Sequence, residues 1–191
     1  MSTQLFEPGD ALLIVDVQND FCPGGALAVP EGDSVVPVLN QWIAQAQASG
    51  RPIIASRDWH PVDHVSFAHR GGPWPEHCVQ DTPGAAFHPN LHLPKDAVRV
   101  SKGTAFDRDA YSAFDQTGLA EWLRYRGIDG VWVGGLAMDV CVEATLRDAC
   151  AQGLRVRLIR NATRAVDPDK ADPLVEDLQG LGTEIYEGDA W

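Results

Sequence analysis

The stretch Val131-Trp132-Val133-Gly134-Gly135-Leu136-Ala137-Met138-Asp139-Val140-Cys141 joins an apolar strand to a helical segment through two glycines. Val131–Val133 is β-branched or aromatic at every position, which suits a short buried strand. Gly134–Gly135 permit a tight turn. From Asp139 to Gln152 the pattern reads as a helix that stops at Gly153. Working outward, the same alternation recurs. Further strands are expected at Ala11–Val15, Pro52–Ser56, Ala97–Val100 and Leu154–Ile159, with a weaker one at Thr183–Tyr186. Several are continuously apolar, as parallel strands covered on both faces are. Helices are expected at Ser34–Ser49, Thr117–Arg126 and Asp169–Leu181. Pro37 and Pro173 are tolerable there because each falls near a helix start. The pattern predicts a three-layer α/β/α domain around a mainly parallel six-stranded sheet, Rossmann-like and filling residues 1–191 as one unit.

One segment breaks the rhythm. Residues 57–94 are rich in Pro, Gly, His and Trp and hold no sustained period. A long irregular stretch inside a domain is more often a functional lid than a disordered insert. Trp59, Phe67, Trp74 and Phe87 favour a packed lid.

Composition bounds the function classes. With 191 residues, 45% of them hydrophobic, the chain can remove roughly 70% of its unfolded surface from water. The formal charge of −12 argues against nucleic acid and anionic membrane surfaces, both of which need basic patches. Cys22, Cys78, Cys141 and Cys150 form no C-x-x-C pair, so neither a zinc ribbon nor a redox dithiol is suggested. Met1–Asp10 has no secretory pattern, and no run reaches the ~18 apolar residues of a membrane span. The expectation is a soluble, cytoplasmic protein acting on a small molecule, with self-association left open.

In a doubly wound sheet, ligands bind beyond the carboxyl ends of the strands. The polar residues expected there are Asp16, Asp58 and Lys102, with Cys141 just after the Gly134–Gly135 turn. A cysteine in the first turn of a helix meets unpaired amides, which favour the thiolate and could hold an oxyanion. A buried, inert cysteine is the competing reading of Cys141, and position alone leaves the two even. Asp16 could take the thiol proton, and Lys102 would favour the anionic forms of both. Singly, each reads as an ordinary loop cap or a solvated lysine. Both beside a strand-turn-Cys-helix element read as catalytic. Asp58-Trp59-His60 puts a carboxylate and an imidazole on one side of extended backbone. With His77, they could hold Zn²⁺, Fe²⁺ or Mn²⁺. His64, His69, His88 and His92 lie nearby and blur that assignment.

These residues together resemble a known family. Ile14-Val15-Asp16-Val17-Gln18-Asn19-Asp20-Phe21 and Pro23-Gly24-Gly25-Ala26-Leu27 are similar to the opening of nicotinamidases in the isochorismatase-like cysteine hydrolase superfamily. So are Arg57-Asp58-Trp59-His60-Pro61, His64-Val65-Ser66-Phe67, Gly71-Gly72-Pro73-Trp74-Pro75-Glu76-His77-Cys78-Val79-Gln80 and Ser101-Lys102-Gly103-Thr104. Asp109-Ala110-Tyr111-Ser112-Ala113-Phe114 and the turn leading to Cys141 complete the set. The resemblance implies Asp16 as general base, Lys102 as its electrostatic partner and Cys141 as nucleophile. It implies an oxyanion hole from the Ala137 and Cys141 amides after a cis Leu136–Ala137 peptide. Phe21, Trp74, Tyr111 and Leu136 would contact the substrate. Asp58, His60 and His77 would bind one divalent metal, zinc ranked first, with Ser66, His69 or no residue as a fourth ligand. The implied activity is hydrolysis of nicotinamide to nicotinate and ammonia in NAD salvage. The alternative is a sister activity on another small amide or on isochorismate.

Overall fold

Strands form where apolar runs can bury both faces, and the centre of the molecule is built from such runs. The computed structural model describes residues 5–189; the outer ends of the expected 1–191 span lie outside them. Its strands are β1 (Asp10–Val15), β2 (Ile53–Asp58), β3 (Val98–Lys102), β4 (Gly130–Leu136), β5 (Arg155–Arg164) and β6 (Glu184–Tyr186). Every residue of β1 and β4 is buried. The order across the sheet is β3-β2-β1-β4-β5-β6, and all five pairings are parallel. The expected "mainly parallel" sheet is therefore wholly so among the described residues. Thr183 falls outside β6, and β4 runs further than the expected Val131–Val133, because its glycines stay in the ladder rather than leaving it.

Gly135 shows why that extension needs glycine. Its φ is +123°, and a Cβ there would lie 2.1 Å from the Val15 carbonyl oxygen. Four helices cover the sheet: α1 (Val35–Ala48), α2 (Leu119–Tyr125), α3 (Glu143–Ala151) and α4 (Ala171–Gly180). Val35, Leu39, Trp42, Ile43 and Ala46 of α1 bury the helical stripe that pairs with Leu12, Ile14 and Trp132 on one face. Leu123 of α2, Leu146 of α3 and Leu178 of α4 pack with Leu13, Val131 and Leu158 on the other. The layers are thus one helix, the sheet and three helices. Among the described residues no helix is long and apolar enough to cross a membrane.

Residues 59–97, between β2 and β3, hold only two short 3₁₀ turns, at Ala68–Arg70 and Pro83–Ala85. They are nevertheless tied down: His60 pairs with Val79, Phe67 with Trp74, and Gln18 with Phe87. Phe67, His64, His77 and Cys78 are buried, so the segment packs as a lid with its own small core.

Candidate active site

Topology gathers the expected residues at one rim. Asp58 and Lys102 end β2 and β3 and are direct register partners. Asp16 follows β1 with φ of +49°, which turns the chain away from the sheet. Cys141 follows β4, but not in an α-helix. Met138–Val142 form a π-helical turn, and α3 begins only at Glu143. The expected single helix from Asp139 to Gln152 is corrected accordingly. The amides of Val140 and Val142 both reach back to the Ala137 carbonyl, at 3.1 and 3.0 Å, and so widen the turn. Leu136–Ala137 is a cis peptide.

Lys102 is the hub of the site. Its Nζ lies 2.8 Å from Asp16 Oδ2 and 2.5 Å from Asp58 Oδ1, and it donates to Cys141 Sγ at 3.4 Å. The other Asp16 oxygen, Oδ1, accepts from Ser56 Oγ at 2.7 Å. All four charged or ionisable groups are buried, Lys102 and Asp16 to within 1%. Burial opposes the charge on Lys102, but Asp16, Asp58 and Cys141 around it hold its ammonium well above the usual lysine range. Burial also raises Asp16; Lys102 offsets part of this, and neighbouring Asp58 adds to it. For Asp58 burial is outweighed by Lys102, helped by His60 and His77, so its carboxyl sits well below the usual range. Cys141 departs from expectation. Burial, with Asp16 and Asp58, outweighs Lys102 and holds the thiol well above the free value. The resting sulphur is a thiol that needs a base, rather than a standing thiolate.

Asp58, His60 and His77 form the second cluster, with one donor atom of each within 4.8 Å of the others. His60 Nε2 is 3.5 Å and His77 Nε2 3.7 Å from Asp58 Oδ2. Each ring donates its Nδ1–H to a carbonyl at 2.8 Å, His60 to Gly103 and His77 to Pro75. That commits both imidazoles to the tautomer whose Nε2 lone pair faces the cluster. Two such nitrogens and one ionised carboxylate oxygen, all buried, fit a divalent cation. Gly103 is required here: with φ of +64°, a Cβ would stand 2.4 Å from His60 Cε1.

The fourth-ligand candidates face elsewhere. His69 is exposed and pairs with Asp63 and Glu76. Ser66 is buried but bonds His64 Nδ1 at 2.7 Å. His64, given no role from sequence, stacks on His60 with ring centroids 4.1 Å apart and spends its other nitrogen on the Arg108 carbonyl. It braces His60 from behind.

Between the clusters opens a cleft of about 550 Å³, open solvent at its mouth included. Phe21, Trp74, Tyr111, Ala137 and Cys141 line it, together with Asp58, His60 and His77. Trp74 Nε1 donates to Tyr111 Oη at 3.2 Å, fixing one aromatic wall. Leu136, expected at the substrate, is not part of the lining. Its side chain is buried in the core shared with α1, with Cδ1 beside Gly32, and Ala137 supplies the wall instead. Asp109, Val140 and Val166 also face the cleft, and sequence reading assigned them nothing. Val166 stands at the end of β5, in a loop whose amides Asp139 holds at 2.8 and 3.0 Å, a contact no local pattern announces.

An isochorismatase domain, as a family model, matches residues 10–189. The chain belongs to the isochorismatase family. Within it, this member is 43% identical to the nicotinamidase of Escherichia coli, over 94% of this chain and 95% of that one. It is 40% identical to the nicotinamidase/pyrazinamidase of Mycobacterium tuberculosis, over 92% and 97%. The pyrazinamidase of Pyrococcus horikoshii, solved in complex with zinc, superposes with a TM-score of 0.92 at 46% identity, covering 95% of this chain and 100% of that one. A Leishmania infantum homologue solved with nicotinate gives a TM-score of 0.85 at 37% identity, covering 95% and 93%.

Proposed function

We propose that this isochorismatase-family chain hydrolyses nicotinamide to nicotinate and ammonia through a thioester on Cys141. The observation that carries the reading is Lys102, paired with Asp16 and Asp58 and in reach of Cys141, buried behind the Asp58 and Cys141 that line an aromatic cleft. Its nicotinamidase relatives support the choice of substrate.

The raised Asp16 carboxylate is suited to accept the Cys141 proton, because its own upward shift offsets part of the rise that burial imposes on the thiol. Sulphur then attacks the carboxamide carbon, and the oxygen gathers charge toward the Ala137 and Cys141 amides. Lys102 offsets the negative charge that passes between sulphur and Asp16. Asp16 returns the proton to the nitrogen as the C–N bond breaks and ammonia leaves. A water gives its proton to Asp16 and attacks the thioester carbon; nicotinate leaves and the thiol is restored. Phe21 and Trp74 would flank the flat ring, with Tyr111 holding Trp74 in place. Asp58, His60 and His77 would hold one divalent metal, with zinc first because the Pyrococcus relative carries it. Bound there, the ion would supply a Lewis-acid contact for the ring nitrogen.

Ammonia release on adding nicotinamide tests the reading, with Cys141→Ala as control. Turnover lost in Cys141→Ala while the fold is kept is the expected result, and substantial residual turnover would rule out covalent catalysis here. Benzamide lacks the ring nitrogen and should be a much poorer substrate, with the gap shrinking in His77→Ala. An equal gap in both proteins would remove the ring-reading role.

A further inference from the structure

Gln18 is buried completely, two residues after Asp16, and the chemistry above leaves it no part. Its carboxamide makes three hydrogen bonds of 2.8 Å: Nε2 to the carbonyls of Asp58 and Ala85, and Oε1 from the Asp58 amide.

The reason lies in how the sheet ends. Alternate residues of a parallel strand direct N–H and C=O to opposite neighbours. In β2, Trp59 faces β3, since its amide reaches the Lys102 carbonyl, and Ser56 faces β1, since its carbonyl accepts from Asp16. Asp58 therefore also faces the β1 side. But β1 has already finished, because Asp16 turns away with positive φ. An amide and a carbonyl at the end of a buried strand would be left without partners, which destabilises the strand end. Gln18 supplies one donor and one acceptor at peptide spacing, in place of the missing rung.

We propose that Gln18 is a positioning residue whose side chain stands in for the β1 backbone and fixes Asp58 for the metal cluster. The proposal rests on the metal reading of Asp58, His60 and His77. Gln18 is itself held: its backbone bridges to Phe87, and Val17 and Asn19 bond His88 and Ala86. Because Nε2 also grips Ala85, the same group locks the lid to the sheet edge that carries the ligand.

The test measures zinc affinity by competition with a chromophoric chelator, and melting temperature with and without zinc. The proteins are wild type, Gln18→Met, Gln18→Asn and Asp58→Ala. Outer partners of metal ligands are typically worth 10–100-fold in affinity. Gln18→Met should weaken zinc by about that factor and shrink the zinc-induced rise in melting temperature, and Gln18→Asn, too short to span both groups, should do the same. A residue that merely packs would lower both melting temperatures equally and leave zinc affinity unchanged; that outcome overturns the proposal. If wild type binds zinc, Asp58→Ala does not and Gln18→Met binds like wild type, the Gln18 role alone fails. If wild type binds no zinc, the metal reading fails and this proposal with it. Should neither Gln18 variant fold, amide exchange in the unaltered protein decides. Protection of the Asp58 amide like that of Ser56 supports the surrogate rung, and loop-like exchange overturns it.

Discussion

Replacing Lys102 by methionine keeps most of the side chain's volume and removes one charge from the centre of the site. In the present structure that charge lies within 2.8 Å of Asp16 Oδ2 and 2.5 Å of Asp58 Oδ1, with all three groups buried. Removing one member of a buried ionic group costs about 3–5 kcal/mol, because the remaining charges stay desolvated. For a chain of this size that is roughly 6–20 °C in melting temperature, at about 2–4 °C per kcal/mol. The pH dependence identifies the cause. With Lys102 present, Asp58 is held below its ordinary value, so its contribution is present above the unfolded pKa and lost as pH falls through the folded one. Without Lys102, burial and mutual repulsion raise both carboxylates above the unfolded value of about 3.9. The folded state then holds protons that the unfolded state has released. Stability of Lys102→Met should be greatest at low pH and should fall as pH rises through the raised pKa values, so the penalty relative to wild type widens toward neutrality. Urea unfolding of both proteins in chelator, from about pH 5 to about 7.5, measures this. A penalty below about 1 kcal/mol, or one unchanged across that range, would refute the assignment of Lys102 as the cation that makes two buried carboxylates tolerable.

Three further outcomes are expected. Iodoacetamide inactivation should track labelling of Cys141, which has Lys102 3.4 Å away to offset the thiolate charge, and be slowed by nicotinamide; Cys22, raised to about 11 by burial and Asp33 with no cation beside it among the described residues, should label far more slowly, and inactivation that tracked Cys22 would count against the nucleophile. Gly103→Ala should weaken zinc binding by about 10–100-fold, since the new methyl would displace His60, and calorimetric titration matching wild type would show that ring to be unconstrained. Asp10→Ala removes the buried acceptor of Trp132 Nε1 and of Arg157, which lie 3.0 and 3.1 Å away at the opposite end of the sheet. It should cost about 3–5 kcal/mol by urea unfolding while leaving KM for nicotinamide unchanged; a raised KM would couple the two ends of β1.

The strands and the rim residues were legible because each lies where an apolar run meets a polar side chain. Asp16, Asp58 and Lys102 end three such runs, and parallel topology then leaves little choice but convergence. The Asp58–His60 pair followed from extended backbone, and His77 followed from resemblance more than from spacing. What stayed hidden depends on relations between strands or on the third dimension. The π turn at Met138–Val142 has the same apolar pattern as an α-helix and differs only in which amide returns to Ala137. Leu136 ends β4 with its side chain in the core and Ala137, just past it, lines the cleft, a division that the two glycines before them obscure. His64 acts on His60 by stacking, and nothing in the chain marks a side chain as the back of another. The raised thiol was missed because sequence shows the nearby lysine but not the burial and the second carboxylate that outweigh it.

Asp58 is where these threads meet, and its two oxygens do different work. Oδ1 is committed to Lys102, and through it to Asp16 and Cys141; Oδ2 faces the two histidines. A cation at the histidine cluster and the ammonium of Lys102 therefore compete for the charge of one carboxylate. Withdrawing density toward one would weaken the hold of the other, so on the proposed reading the cluster that reads the ring would also tune the lysine beside the thiol. Effects of residues acting as such a unit are not additive. Loss of activity in an Asp58 variant cannot then be divided into a binding share and a chemical share by subtraction. It also follows why the backbone at Asp58 is held on both edges, by Lys102 through β3 and by Gln18 in place of β1. A carboxylate with two partners on opposite sides tolerates little displacement toward either, and the strand end beneath it is built to prevent that displacement.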